Sequence, residues 1–326
     1  MRKQIRSSGD LIADRRLNYG QTFLKEGDLV AAIELFEQTI DRAPAWPEAH
    51  FALGGARRDI GDRAGAAAAF RNCLRLDPDD KLGASLALAQ IDAMATVDVA
   101  PTAYVKALFD AYAEDFDKAL VERLSYSTPQ KLAQAIRAAR KVAGRSGRAL
   151  DLGCGTGLAG EAILADVAWL EGVDLSGGMI EAAKVKGVYD QLETADILTA
   201  LHRRETNYDL ILAADVLIYF GDLSKPVAGV AARLVDGGLF AFSVEKGDGA
   251  DWTVQSSLRF AHGADYVART LKTAGLEIVT LEDAVLRTDR GADVMGLLVV
   301  ARKPVRARSG LPSTAEASLM DAPSSV

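Results

Sequence analysis

Apolar residues recur along this chain in two rhythms, and the change between them falls near residue 147. Before it, apolar and small residues keep helical spacing through stretches such as "NYGQTFLKEGDLVAAIELFEQTIDRAP" (18–44). After it, short apolar runs alternate with helical stretches. "RALDLG", "WLEGVD", "YDLILAAD" and "GGLFAFSV" read as strands, with a shorter strand near "QLETA". Helices are expected at "GLAGEAILAD", "GGMIEAAKVK", "SKPVAGVAARLV" and "GADYVARTLKTAG". Strands that alternate with helices imply a parallel sheet covered on both faces. The last two, "LEIVTLEDAVLRT" and "VMGLLVVARK", are joined only by the turn "DRGAD", so they form an antiparallel hairpin that closes the sheet.

The helical part repeats itself. Residues 18–44 and 52–78 align without gaps at a period of 34: Tyr19-Gly20 with Leu53-Gly54, Gly27-Asp28 with Gly61-Asp62, Phe36 with Phe70, Pro44 with Pro78. That period with those residues resembles tetratricopeptide repeats, each a pair of antiparallel helices. Small residues allow close helix approach, the two Phe fill the seam, and Pro ends the second helix. Two repeats are few for such an array, and the helix around "LGASLALAQIDAM" (82–94) supplies a cap. The repeats serve either stability alone or a protein partner on their concave surface. "TVDVAP" (96–101) reads as a linker. Beyond it Tyr104, Leu108 and Tyr112 share one helical face, either as core or as a cover over whatever the sheet binds. The expected organisation is helical repeats over 1–95, linker and covering helices over 96–146, an α/β domain over 147–303, and a tail without periodicity over 304–326.

Composition narrows the function. With 49% hydrophobic and 25% charged residues over 326 positions, the chain is globular and long enough for two domains. A net charge of −7 excludes the broad basic face that nucleic acid requires. Cys73 and Cys154, the only cysteines, lie far apart and without ligand spacing, so neither disulfides nor a metal centre is expected. The N-terminal "MRKQIRSSGDLIADRR" lacks an apolar export core and no run is long enough to span a bilayer, so a cytoplasmic protein without a membrane partner is expected.

The chemistry centres on "ALDLGCGTGLAG" (149–160). Gly155-x-Gly157-x-x-Gly160 fits a dinucleotide fingerprint, whereas Asp151-x-Gly153-x-Gly155-x-Gly157 fits a methyl-donor loop. The first reading forces an acid and another glycine into the end of the strand. The second places Asp151 at the strand's carboxyl end, awkward beside a pyrophosphate and suited to a cationic amino acid. Asp174 ends the next strand, where either ligand offers ribose hydroxyls. Asp196 in "TADI" follows the short third strand, where it can accept a bond from an adenine amino group.

Residues 149–302 resemble a class I S-adenosylmethionine-dependent methyltransferase, and the prelude "LFDAYAEDFDKAL" resembles the segment before the loop in tetratricopeptide-linked members. The resemblance implies a seven-stranded Rossmann-like sheet with its last strand antiparallel, and S-adenosylmethionine as cofactor. It places Gly153 and Gly155 against the methionine part, Asp151 at the amino group, Asp174 on the ribose, and Met179 and Asp196 on the adenine. Tyr112 would lie over the cofactor and Asp215 would mark where donor meets acceptor. Each of these has an alternative role as cap, turn or core. His262, at the start of a helix after the fifth strand, is the candidate base. Arg259, Tyr266 and Glu245 form a candidate acceptor wall. The expected activity is methyl transfer to an oxygen or nitrogen of a small molecule. An interaction protein with an idle catalytic domain and an NAD-dependent oxidoreductase are the competing readings.

Overall fold

The computed structural model describes residues 6–91, 97–111, 126–140, 146–249, 251–289 and 291–305. Tyr112 lies outside them, as does nearly all of the expected tail.

Five helices open the chain: α1 (Leu11–Glu26), α2 (Leu29–Arg42), α3 (Pro47–Asp59), α4 (Arg63–Leu76) and α5 (Ala84–Ile91). The 34-residue repeat is visible as one contact made twice. A Cβ on Gly20 would stand 2.5 Å from the ring of Phe36, and one on Gly54 would stand 2.6 Å from the ring of Phe70. Neither site has room for a methyl group, so the aromatic in the second helix of each pair dictates glycine in the first. Asp28 and Asp62 also match, each accepting a backbone N–H at the start of its helix. Phe36 and Phe70 are both fully buried, and α5 packs on α4 as the cap.

The expected linker is not a free connector. Val99 bridges Phe220, the Ala100 N–H donates to the Tyr219 carbonyl at 2.8 Å, and Asp98 O accepts from both Gly221 and Asp222. From there α6 (Thr102–Asp110) crosses toward the sheet and α7 (Thr128–Ala139) leads into it.

The sheet contains β1 (Ser146–Leu152), β2 (Val167–Asp174), β3 (Gln191–Thr194), β4 (Tyr208–Ala213) and β5 (Leu234–Lys246), running parallel in the order β3-β2-β1-β4-β5. The terminal hairpin of β8 (Glu277–Asp289) and β9 (Ala292–Arg302) continues it, with β9 antiparallel to β5 and to β8. Those seven strands are the expected Rossmann-like arrangement. A second hairpin, β6 (Trp252–Val254) with β7 (Phe260–His262), adds two more strands through the end of β5 at Glu245 and Lys246. Helices α8 (Leu158–Ile163), α9 (Gly177–Lys186), α10 (Ile197–Arg203), α11 (Ser224–Arg233) and α12 (Ala264–Thr273) connect the strands.

Alternate residues of each strand serve opposite faces. Ala149, Leu210, Leu212 and Ala241 pack with Leu132 and Ile136 of α7. Leu150, Leu152, Ile211 and Phe242 join a core that also holds Leu201, Val230 and Val267 of α10, α11 and α12. That second core is continuous with Phe70, Leu86 and Tyr104 from the helical region, so the repeats share a hydrophobic core with the sheet.

Candidate active site

The carboxyl ends of β1, β2 and β4 open into a cavity of about 360 Å³. Open parallel sheets place ligands there, outside the strand ends where the chain order reverses. Strand order reverses between β1 and β4, on either side of which the chain runs to β2 and to β5.

The floor is the glycine turn. Gly153 has φ +66, and a Cβ on it would stand 2.4 Å from Val216, so the backbone itself forms the surface. Gly155 also has positive φ, and its N–H donates to Asp174 Oδ2 at 2.9 Å. The Ser176 N–H donates to the other oxygen at 2.8 Å. Two backbone donors fix the Asp174 carboxylate on the cavity wall, while burial pushes its pKa upward. Ser176 also caps α9 and donates to Asp110 Oδ1 at 2.5 Å, tying α6 to the same corner.

Asp151 sits behind the turn and not on the cavity wall. It is fully buried, and burial lifts its carboxyl to about 7. The Tyr189 hydroxyl donates to Oδ2 at 2.7 Å, and among the described residues Oδ1 has no partner. The last glycine of the motif is explained by this bond. A Cβ on Gly160 would lie 2.5 Å from the Tyr189 hydroxyl oxygen, so Gly160 is small to admit Tyr189.

Asp196 lines the cavity and caps α10 at once: its Oδ1 accepts the Thr199 N–H at 3.0 Å. Met179 does not line it. It is fully buried inside α9, and Leu175 and Ile197 line the cavity beside Asp174 and Asp196. An adenine-packing role for Met179 therefore has no geometric support. An apolar roof comes from Val99, Tyr104, Val105, Leu108 and Phe109, so two members of the aromatic–apolar stripe do cover the cavity.

The opposite end is polar and built from residues far apart in sequence. Asp215 follows β4 with φ +53, a conformation costly for a side chain bearing a Cβ. It is held there by Ser243, whose hydroxyl donates to Oδ1 at 2.8 Å and accepts the Asp215 N–H at 2.9 Å. Arg287 of β8 bonds Asp215 Oδ2 at 3.2 Å and pairs closely with Glu245 of β5. Arg259, from the β6–β7 hairpin, stands 3.7 Å from Glu245. Arg259, Arg287 and Asp215 line the cavity; Glu245 pairs with both arginines from behind. Tyr126 and Tyr219 complete this end, and burial raises the Tyr126 phenol well above its ordinary range.

Two candidates leave the site. His262 closes β7 rather than opening a helix, is fully buried, and does not line the cavity. Its Nε2 donates to the Phe220 and Gly221 carbonyls at 2.9 and 3.1 Å, and burial depresses its pKa to about 4. A ring kept neutral by burial and bonded to two backbone carbonyls, away from the cavity wall, is a structural group. Tyr266 is likewise structural: its hydroxyl accepts the Leu223 N–H at 2.8 Å and donates to Asp222. Arg287, Tyr126 and Tyr219 were missed by sequence reasoning. Arg287 lies at an alternating position in an edge hairpin, and only the partners across β5 reveal its role.

Residues 150–240 match the family model described as methyltransferase domain, and residues 47–80 match a tetratricopeptide repeat model. The chain thus carries a Rossmann-like domain similar to methyltransferase domains, behind helices of which residues 47–80 are similar to a tetratricopeptide repeat. It is similar to a ubiquinone biosynthesis O-methyltransferase of Paraburkholderia phymatum, 30% identical over 128 residues, covering 38% of this chain and 53% of that one. The same enzyme of Coxiella burnetii is 33% identical over 100 residues, covering 29% and 42%. The chain spans about half the length of the curated relatives it matches, or less. Among solved structures, an S-adenosylmethionine-dependent methyltransferase from Clostridium acetobutylicum is 18% identical with a TM-score of 0.46, covering 60% of this chain and 99% of that one. Magnesium protoporphyrin IX methyltransferase from Synechocystis is 18% identical with a TM-score of 0.42, covering 54% and 78%.

Proposed function

We propose that the chain transfers a methyl group from S-adenosylmethionine to an oxygen or nitrogen of a small, largely apolar acceptor. One observation carries this reading: a single cavity joins the Gly153–Gly155 turn, Asp174 and Asp196 at one end to Asp215, Arg259 and Arg287 at the other. The residues fit the cofactor. The turn offers bare backbone, Asp174 keeps acceptor capacity beyond its two backbone donors, and Asp196 keeps Oδ2 free of its capping bond. The orphaned Asp151 Oδ1 beneath the turn leaves hydrogen-bonding capacity for an amino group, whose positive charge would favour the ionised carboxylate.

When bound, S-adenosylmethionine supplies an electrophilic methyl group, and in-line displacement asks the protein mainly for alignment and exclusion of water. The roof of α6, with Phe109 edge-on to Tyr219 at 5.6 Å between ring centres, excludes water. Asp215 accepts the acceptor's hydroxyl or amine proton through hydrogen bonding and orients its lone pair. Arg287 positions Asp215, and Arg259 balances the remaining charge of Glu245. The repeats brace the roof and the β6–β7 hairpin, and their outer surface is available to a protein partner.

Purified protein incubated with methyl-labelled S-adenosylmethionine and a metabolite extract should yield one labelled small molecule. That product should disappear with Asp174→Ala. Label found only on protein would overturn the acceptor class.

A further inference from the structure

A groove of about 350 Å³ lies on the far side of α6, between that helix and the repeats. Val105 and Phe109 line only the first cavity, whereas Ala107 and Ala111 line only the groove. Two-residue steps fall on opposite helical faces, so α6 is a partition with open space on both sides. The charges of the groove answer one another. Lys81 stands 2.9 Å from Asp79 and 3.9 Å from Asp77, and Glu48 meets the charge and the backbone N–H of Arg6. Leu76 and Leu82 form its apolar wall, and the small side chains of Ala107 and Ala111 leave it unfilled. Packed elements rarely leave a void of this size, and behind a roof helix it is room for that helix to move.

The two ends of α6 are held differently. Just before its first turn, the Ala100 N–H donates to the Tyr219 carbonyl at 2.8 Å. Asp98 O accepts from Gly221 at 2.8 Å and from Asp222 at 2.9 Å. The buried Tyr104 ring is wedged against Gly83, where a Cβ would stand 3.0 Å from it. Backbone bonds and a buried ring thus fix the N-terminal end. Side chains hold the other end. Asp110 Oδ1 accepts the Ser176 hydroxyl at 2.5 Å, the Gly178 N–H reaches the same carboxylate, and Phe109 meets Tyr219 edge-on. The Asp110 side chain is 39% exposed, so water can replace these bonds when they break. Ser176 is also the residue whose N–H fixes Asp174, so α6 closes on the turn that holds that carboxylate.

We infer that α6 is a lid, pivoting near residues 98–104 and latched by Asp110 on Ser176, that swings into the groove to admit and release the methyl donor. This rests on the reading of the first cavity as the donor site. Asp110 is a positioning residue: it acts through Ser176 and does not line the cavity.

Two variants of the full chain should act in opposite senses. Asp110→Ala removes the latch, and Ala107→Trp fills the groove. In ligand-free protein, hydrogen exchange over residues 102–110 should be at least about tenfold faster in Asp110→Ala, with β1 and α12 unchanged, because a hydrogen bond to a charged group is lost. In stopped-flow mixing with S-adenosylhomocysteine, association and dissociation should both quicken in Asp110→Ala and both slow in Ala107→Trp. Unchanged exchange over α6 in Asp110→Ala overturns the latch, and so does an acceleration spread evenly along the chain. Binding rates that move in neither variant, or in the same direction in both, overturn the lid. The exchange measurement needs no ligand. A wild type that binds no S-adenosylhomocysteine would therefore refute the donor reading, while exchange over α6 would still decide the latch.

Discussion

Asp151→Asn should change how stability depends on pH, by an amount the structure specifies. In the native protein the buried carboxyl titrates near 7, against an ordinary value of 3.8. Between those values the native state holds a proton that the unfolded chain releases, so this group makes stability fall as pH rises. At about 1.4 kcal/mol per pH unit, the fall from 3.8 to 7 reaches an upper bound of about 4 kcal/mol. His262 acts in the opposite sense. Its native value is about 4 against 6.5, so the unfolded chain binds the extra proton and stability rises with pH over that interval, by at most about 3 kcal/mol. The two nearly cancel below pH 6.5, and the wild-type profile alone would conceal both. The amide introduced by the substitution keeps an oxygen for the Tyr189 hydroxyl and has no proton to release. Urea denaturation of ligand-free protein at closely spaced pH values measures the difference directly. The variant should gain on the wild type by up to about 4 kcal/mol between pH 4 and 7.5. A difference that is flat with pH would refute the assignment of Asp151 as a buried carboxyl without compensation.

Three further outcomes are expected. Arg287→Met leaves Asp215 and Glu245 without their shared partner, and should cost about 3–5 kcal/mol in denaturant unfolding, with Asp215→Asn and Glu245→Gln restoring part of it. Gly160→Ala drives a methyl group into the Tyr189 ring and hydroxyl and should cost about 1–3 kcal/mol, whereas in a Tyr189→Ala background the same substitution should cost less than about 0.5 kcal/mol; an equal cost in both backgrounds would separate Gly160 from Tyr189. His262→Gln should lower the melting temperature yet keep turnover per folded molecule within a few-fold; a loss of about a hundredfold or more would return His262 to the role of base.

The sheet was legible because its strands alternate and its turns carry glycine or charge at the expected places, and the terminal hairpin was announced by "DRGAD". The repeat was legible because Gly20–Phe36 and Gly54–Phe70 are one steric solution written twice. Asp174 and Asp196 line the cavity, and the sequence points to them because strand ends dictate where a parallel sheet binds. The β6–β7 hairpin was not legible: three-residue strands carry too few alternations to register a period. That strand also accounts for His262, which the sequence sets at a helix start as a candidate base and which lies buried in β7. Met179 was misjudged because apolar residues on α9 look alike in sequence, and only depth separates the cavity wall from the core. Arg287 reaches Asp215 across 72 positions of chain, a pairing that local pattern cannot encode.

The central claim is that the cavity over the glycine turn holds the methyl donor, with Asp174 as its fixed carboxylate. Calorimetric titration of S-adenosylhomocysteine into the wild type and Asp174→Ala, with circular dichroism to verify that both are folded, tests it most directly. The account predicts one site in the wild type and an affinity at least about tenfold weaker in the variant, the consequence of losing a charged hydrogen-bond acceptor. Equal affinity in a folded Asp174→Ala protein would contradict it.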